Sequence, residues 1–237
     1  MKRHTVNIKK INKETKKNID NKISIALLSA GVGKKIKSYE PRSLIKINEK
    51  FLLQHQINTL KQFFDEPEIV TVVGCYANKI IKKFRGQTKF VENQLYEHTN
   101  SSESLRLAFN NTVCSSFMFF HGDILFNLET LKIDYSKSFV IKDSNSQLKD
   151  AEIGLTNVNN NLSIMSYGLD ERWAQIAYFT GREYDILKNI FNKFEDKDKK
   201  KLSFEIINEV TAMGGSFMCH SPLKMDILEI DRIKDVK

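Results

Sequence analysis

Three stretches of this chain carry residues whose types and spacing suit chemistry. The first, "LLSAGVGKKIKSYEPRSLIKI" (27–47), leaves an apolar run for two glycines, four lysines and an arginine, then turns apolar again. Gly31 and Gly33 free the backbone for tight turns with positive φ. Successive amides in such a turn make a nest for an anion, and Lys34, Lys35, Lys37 and Arg42 add positive charge. The combination suits a polyphosphate. The spacing matches neither GxxxxGK[ST] nor GxGxxG, and a plain strand-to-loop turn accounts for the glycines equally well.

The second is Asp123, which closes the apolar "SSFMFFHGD" (115–123). Magnesium takes one or two carboxylates together with substrate phosphates; a turn or helix-cap aspartate is the plainer alternative. His121 reads as a structural strand-end residue. The third is "ILEIDRIKD", where Glu229 and Asp231 alternate with Leu228 and Ile230 and so share one face of a strand. Asp231 reaches Asp123 if that strand returns beside the sheet; otherwise the two acids mark the solvent face of an edge strand.

These loops need elements to hold them. "ISIALLS" (23–29), "EIVTVVG" (68–74), "TKFVEN" (88–93) and 115–123 read as strands, being short, apolar or β-branched. Between them, 49–64, 77–84 and 101–111 carry helical spacing, the last opening with Ser and Glu in the manner of a helix cap. Strand and helix alternate, which predicts an α/β fold with a parallel sheet covered by helices on both faces. Right-handed crossovers bring the strand ends to one edge, where such sheets bind ligands. The second half is less regular: short strands at "SFVIKD", "EIGLTNV" and "LSIMSYG", with a hairpin over Asn159–Asn161, a further strand at "WAQIAYF", helices over 181–194 and 200–213, and final strands at "SFMCH" and "DILEID".

Composition bounds the rest. The 237 residues suit one generous domain, 41% of them are hydrophobic, and 16 are phenylalanine. The formal charge of +8 favours anionic partners. Eight basic and two acidic residues fall within 1–22, which reads as a basic, flexible arm preceding a domain over 23–237. No run approaches a membrane span of about 18 apolar residues. Cys75, Cys114 and Cys219 are widely spaced and read as reduced core thiols of a cytoplasmic protein.

The ordered motifs carry a resemblance. Leu27-Leu28-Ser29-Ala30-Gly31-Val32-Gly33-Lys34-Lys35, followed by Pro41-Arg42-Ser43-Leu44, resembles the L-x-A-A-G-x-G-x-R and P-K-x-L segments of the nucleotidylyltransferases of glycosyltransferase-A-like, Rossmann-related fold. "VENQLYEHTNSSESL" is similar to the "vyNpxYxxTNNxxSL" segment of a branch that includes choline-phosphate cytidylyltransferases and related sugar-phosphate enzymes. Asn93, Tyr96, Thr99, Asn100, Ser104 and Leu105 fall in step. "FFHGDILF" and "EIDRIKD" match the segments that present the family's two metal-binding aspartates. Residues 23–126 are matched well, 216–237 fairly, and the middle by layout alone.

The resemblance implies a three-layer αβα sandwich with a mixed, mostly parallel sheet, a nucleotide-binding half over about 23–126 and an acceptor-binding half over about 127–237. It implies a magnesium-dependent enzyme that couples a nucleoside triphosphate, CTP or UTP favoured, to a phosphocholine-like acceptor or a sugar 1-phosphate, releasing pyrophosphate. Ala30, Gly31, Val32, Gly33, Lys34 and Lys35 would bind nucleotide. Arg42, Lys35 and Asp123 would be catalytic, and Asp123 and Asp231 would hold Mg2+. Asn93, Tyr96, Asn100 and Ser104 would receive the acceptor. By residue type, Tyr167, Trp173, Tyr178 and Phe179 offer an aromatic cage for a quaternary ammonium, Trp173 first among them, with core packing the favoured role for most of the four. The chain departs from the pattern at two points: Lys35 stands where the loop has arginine, and Arg42 where the family has its signature lysine. An ammonium is a point donor and a guanidinium a planar fork, so a nucleotide binder without turnover is one alternative. A glycosyltransferase of the same fold is another, although Gly122-Asp123-Ile124-Leu125 lacks the Asp-x-Asp pattern. Nucleic acid is disfavoured as a partner, since the aromatics are not interleaved with basic residues. A homodimer is compatible with the sequence.

Overall fold

A computed structural model describes residues 22–31, 41–144 and 152–230. The strands of the first half are β1 (Ile23–Ser29), β4 (Glu68–Val73), β5 (Lys89–Glu92) and β6 (Ser116–His121), with a two-residue hairpin, β2 (Lys46–Ile47) and β3 (Lys50–Phe51), between the first two. The helices are α1 (Leu52–Phe63), α2 (Ala77–Phe84) and α3 (Ser101–Phe109). A short strand, β7 (Ile124–Phe126), follows β6. The second half holds β8 (Phe139–Asp143), β9 (Ile153–Val158), β10 (Asn161–Tyr167), β11 (Glu171–Phe179), α4 (Gly181–Asn192), α5 (Ser203–Ala212), β12 (Met218–His220) and β13 (Ile227–Glu229).

One nine-stranded sheet runs in the order β5-β4-β1-β6-β11-β8-β12-β10-β9. The first four of these strands are mutually parallel, as their helical crossovers require. From β6 onward pairing is antiparallel except between β8 and β12. The sheet is therefore mixed, and its parallel part is concentrated in the half that bears the glycine-lysine loop.

Period-two alternation sorts the core onto two faces. Ala26 and Leu28 of β1, with Phe117 and Phe119 of β6, point to the face covered by α3, α4 and α5. Ile25 and Leu27, with Met118 and Phe120, point to the face covered by α1 and α2. Three layers result. Each buried Leu, Ile, Met or Phe among these contributes about 1.5–3 kcal/mol relative to exposure, which ties both helical layers to the central strands.

Boundaries differ from the sequence reading at three places for local reasons. Asn48 and Glu49 take left-handed φ values of 45° and 67°, so residues 46–51 form a hairpin and the first helix starts at Leu52 rather than 49. Lys200 belongs to a 3-10 turn over Asp198–Lys200, and α5 begins only at Ser203. At α3 the Ser/Glu cap does not form: Ser101 Oγ accepts from Ser203 N, and Glu103 takes Arg106 in a two-pronged bond. The expected hairpin after β9 is present, with Asn159 and Asn160 both left-handed. The last strand does not join the main sheet; β13 pairs with β7, Glu229 opposite Ile124. All three cysteines are buried and unpaired, and burial pushes the Cys219 thiol up to about 11. No described helix is long and apolar enough to cross a membrane.

Candidate functional site

The C-terminal ends of β1, β4 and β6 are drawn together by backbone contacts. Cys75 N donates to Ala30 O (3.1 Å), Asn93 N to Val73 O (2.8 Å) and Gly122 N to Leu28 O (2.9 Å). Two glycines make this closeness attainable. A Cβ on Gly74 would lie 2.7 Å from Ala30 O, and one on Gly122 would lie 2.6 Å from Leu28 O. Gly31 is a different case. Its backbone lies outside the left-handed region and a Cβ there would meet nothing within 4 Å, so the positive φ expected from the sequence does not occur at that position.

Beside this junction lies a cavity of about 710 Å³. Ser29, Ala30, Gly31, Arg42, Ser43, His121, Gly122 and Asp123 line one part of it. Asn93, Tyr96, Glu97, His98, Thr99, Asn100, Ser101, Ser104 and Lys200 line the other. Arg42, from the 3-10 turn Arg42–Leu44 that follows Pro41, forms an ion pair with Asp123. The other carboxylate oxygen, Asp123 Oδ1, is buried and has no hydrogen-bond partner among the described residues, and the same holds for Ser29 Oγ and Ser43 Oγ.

The backbone around Asp123 is held from both sides. Gln56 is buried on α1, and its Nε2 donates to His121 O (3.1 Å) and Ile124 O (2.8 Å), strapping the turn. Ile230 N, one residue beyond β13, donates to Asp123 O (2.8 Å). The segment after β13 is therefore brought back onto this aspartate. Asp231 lies outside the described residues, as do Val32, Gly33, Lys34, Lys35 and Lys37; among the described residues no group of three His, Cys, Asp or Glu is gathered for a metal.

The other wall is densely bonded. Asn93 Nδ2 donates to Thr99 Oγ1 (3.1 Å) and Ser104 Oγ (3.2 Å), and its Oδ1 accepts from Leu95 N (3.1 Å). Asn100 donates from its side chain to Lys200 O, and Ser102 Oγ to Asp198 O (2.7 Å). Tyr96 donates to Glu97, and that bond leads the causes that raise the phenol's pKa. His121 Nε2 bonds Ser203 Oγ at 2.8 Å. Burial is the largest influence on this imidazole and lowers its pKa; Asp123 opposes that lowering and Arg42 adds to it.

The structure thus gathers Ala30, Gly31, Arg42, Asn93, Tyr96, Asn100, Ser104 and Asp123 on one cavity. It does not bring Trp173 there. Trp173 is 2% exposed, its Nε1 donates to Ile176 O (3.0 Å), and its ring packs edge-on against Phe119 and His121. Tyr178 and Phe179 are also core residues, and Tyr167 packs against Phe204. Trp173 as an acceptor contact is corrected to hydrophobic packing, and Tyr178 and Phe179 take the core role that the sequence favoured. Sequence reasoning missed Ser43, Gln56, Glu97, His98, Ser101 and Lys200. Gln56 had a signal: it sits at helical spacing on the stripe made by Leu52, Leu53, Ile57 and Leu60, where a buried amide needs a specific partner.

No protein-family model and no curated protein matches the chain. Solved structures do match it. A CTP:phosphocholine cytidylyltransferase from Streptococcus pneumoniae is similar at 16% identity and a TM-score of 0.70, over 90% of this chain and 96% of that one. An inositol-1-phosphate CTP transferase from T. maritima is similar at 16% identity and a TM-score of 0.74, over 90% and 91%. A UDP-glucose pyrophosphorylase complexed with UDP-glucose is similar at 10% identity and a TM-score of 0.69, over 91% and 95%. The chain has the glycosyltransferase-A-like fold of the nucleotidylyltransferases, as the sequence resemblance implied.

Proposed function

We propose that the protein is a nucleotidylyltransferase that joins a nucleoside triphosphate to a phosphorylated small molecule and releases pyrophosphate. One observation carries this reading: Arg42 and Asp123 meet on a cavity at the strand ends, where Asp123 Oδ1, Ser29 Oγ and Ser43 Oγ are buried without partners among the described residues. Burying a polar atom with no partner costs about 1–3 kcal/mol, and a ligand that supplies the missing bonds offsets that cost. The fold shared with cytidylyltransferases and pyrophosphorylases supports the same reading.

In this mechanism a phosphate oxygen of the acceptor attacks the α-phosphorus, and the bond to the bridging oxygen breaks. Pyrophosphate leaves with the electron pair. The protein supplies positioning and charge. The 30–35 loop cradles the β- and γ-phosphates, with Lys34 and Lys35 adding charge. Arg42 turns from Asp123 toward the α-phosphate and the incoming phosphate, which leaves both Asp123 oxygens for a cation. The donor set fits a hard divalent ion: Asp123 carries a carboxylate oxygen that is buried without a partner among the described residues, and Ile230, bonded to the Asp123 carbonyl, immediately precedes Asp231 in sequence. Asp123 and Asp231 would hold magnesium, which would supply Lewis acidity to the phosphoryl transfer when bound. Tyr96 and Asn100 face the acceptor, while Asn93 and Ser104 fix the loop that carries them.

The decisive assay incubates the full chain with each of the common triphosphates against phosphocholine and a panel of sugar and polyol phosphates, following pyrophosphate. Release with at least one pair is the expected outcome. Triphosphate binding without release from any pair overturns the reading in favour of a nucleotide binder, and hydrolysis of sugar nucleotides without pyrophosphate chemistry overturns it in favour of a glycosyltransferase.

A further inference from the structure

Residues 195–201, "EDKDKKK", hold four lysines, and three of them are neutralised. Lys197 pairs with Glu195 at 2.7 Å, Lys199 with Asp196 at 2.8 Å, and Lys201 with both Asp198 (2.8 Å) and Glu209 (2.9 Å). Lys200 has no carboxylate within ion-pair distance among the described residues, and it lines the cavity. Its backbone is fixed there. Asn100 donates through Nδ2 to Lys200 O (2.6 Å) and through its own N–H to Lys199 O (2.8 Å). Ser102 holds the flanking Asp198 and Lys201 carbonyls. The first turn of α3 spends its polar groups on presenting this segment instead of capping itself.

On the described cavity wall the only other arginine or lysine is Arg42, already opposite Asp123. Glu97 shares the wall with Lys200 but accepts from the Tyr96 hydroxyl. A strongly hydrated ammonium with three donors suits a doubly charged phosphate ester. We infer that Lys200 is a specificity-determining residue that grips the phosphomonoester of the acceptor by an oxygen other than the attacking one. This inference rests on the proposed nucleotidyl transfer for its catalytic consequence. Lys200 works from the wall built by 93–104 and 198–203, whereas Ala30, Gly31, Arg42 and Asp123 line the other part of the cavity, so it discriminates phosphorylated from unphosphorylated acceptors and leaves nucleotide binding alone.

The test compares Lys200→Met and Lys200→Arg in the full chain. At saturating triphosphate, Lys200→Met is expected to raise the acceptor KM about tenfold, equivalent to ~1.4 kcal/mol, while the triphosphate KM stays within about twofold. Lys200→Arg recovers most of the loss. The melting temperature stays put, because no ion pair is removed. An unchanged acceptor KM, or a rise confined to the triphosphate, overturns the inference while leaving nucleotidyl transfer standing. A second measurement is independent of turnover: titration with inorganic phosphate, followed by 31P line broadening. Saturable broadening in the wild type that Lys200→Met abolishes supports the anion site even if pyrophosphate release is never seen. Broadening that is absent, or identical in the two proteins, overturns it.

Discussion

The two walls of the cavity treat polar atoms in opposite ways. The edge formed by the ends of β1 and β6 leaves Ser29 Oγ, Ser43 Oγ and Asp123 Oδ1 buried without partners. The wall formed by 93–104 and 198–203 saturates its groups: Asn93 on Thr99, Ser104 and Leu95, Ser101 on Ser203, Ser102 on Asp198. Saturated groups fix a shape, whereas unsatisfied ones hold free energy that a ligand recovers. The same contrast explains why Lys200 stands out, since it is the unneutralised member of an otherwise paired run on the saturated side.

The comparison breaks most visibly at Asp123. Asp123→Asn keeps the shape and removes the charge, and pyrophosphate release is expected to fall about a thousandfold, ~4 kcal/mol of transition-state stabilisation. Circular dichroism melts of the variant should stay close to wild type; activity within about twofold of wild type would place the chemistry elsewhere. Next comes a pair of glycines. Gly122→Ala pushes a methyl into Leu28 O and is expected to cost about 1–3 kcal/mol in urea unfolding. Gly31→Ala meets nothing and should fall within about 0.5 kcal/mol. Equal costs at the two sites would mean that the strand ends do not approach as closely as described.

Serine variants sharpen the contrast between the walls directly. Ser102→Ala leaves the buried Asp198 carbonyl short of a donor and is expected to cost about 1 kcal/mol. Ser29→Ala and Ser43→Ala remove hydroxyls that have no partner, so stability should hold or rise while nucleotide affinity, read by calorimetry, drops. Loss of stability at Ser29 or Ser43 with unchanged nucleotide binding would reverse the assignment of the two walls.

The smallest effect is a pH dependence. Burial lowers the pKa of both His121 and His220, against the opposing pull of Asp123 and Asp134 respectively. Below the unfolded-state value of about 6.5 the unfolded chain takes up protons that the folded chain refuses. Stability therefore declines as pH falls through and below that point, and is fully restored above it. His220 lies away from the cavity, so His220→Gln should flatten part of the acid slope of chemical denaturation without touching nucleotide binding. A slope unchanged by the substitution would remove His220 from the account.

Much of the framework was legible because its signals are local. "ISIALLS" and "ANKIIKKF" form their elements at the expected bounds; an apolar run ended by a turn and a helical repeat of Ile80 and Phe84 need no distant partner to be recognised. Where long-range bonds compete, local pattern does not decide the outcome. The Ser101/Glu103 cap looked self-sufficient, yet Ser203 and Arg106 take those side chains. Trp173 looked available as a cage residue, yet β11 sits between β6 and β8 and its indole finds a carbonyl inside the core.

By itself the sequence determined the α/β alternation, the clustering of positive charge after the first strand and the placing of an aspartate at the end of an apolar strand. These follow from periodicity and residue type, which act over a few positions along the chain. Tertiary structure alone decided that β13 turns back along β7 to set Ile230 on Asp123, that Gly122 rather than Gly31 is the glycine required by close approach, and that of the four lysines in 195–201 Lys200 lines the cavity. Each of these depends on which groups from distant segments reach hydrogen-bonding or contact distance once the sheet has closed, and a linear pattern does not encode that proximity.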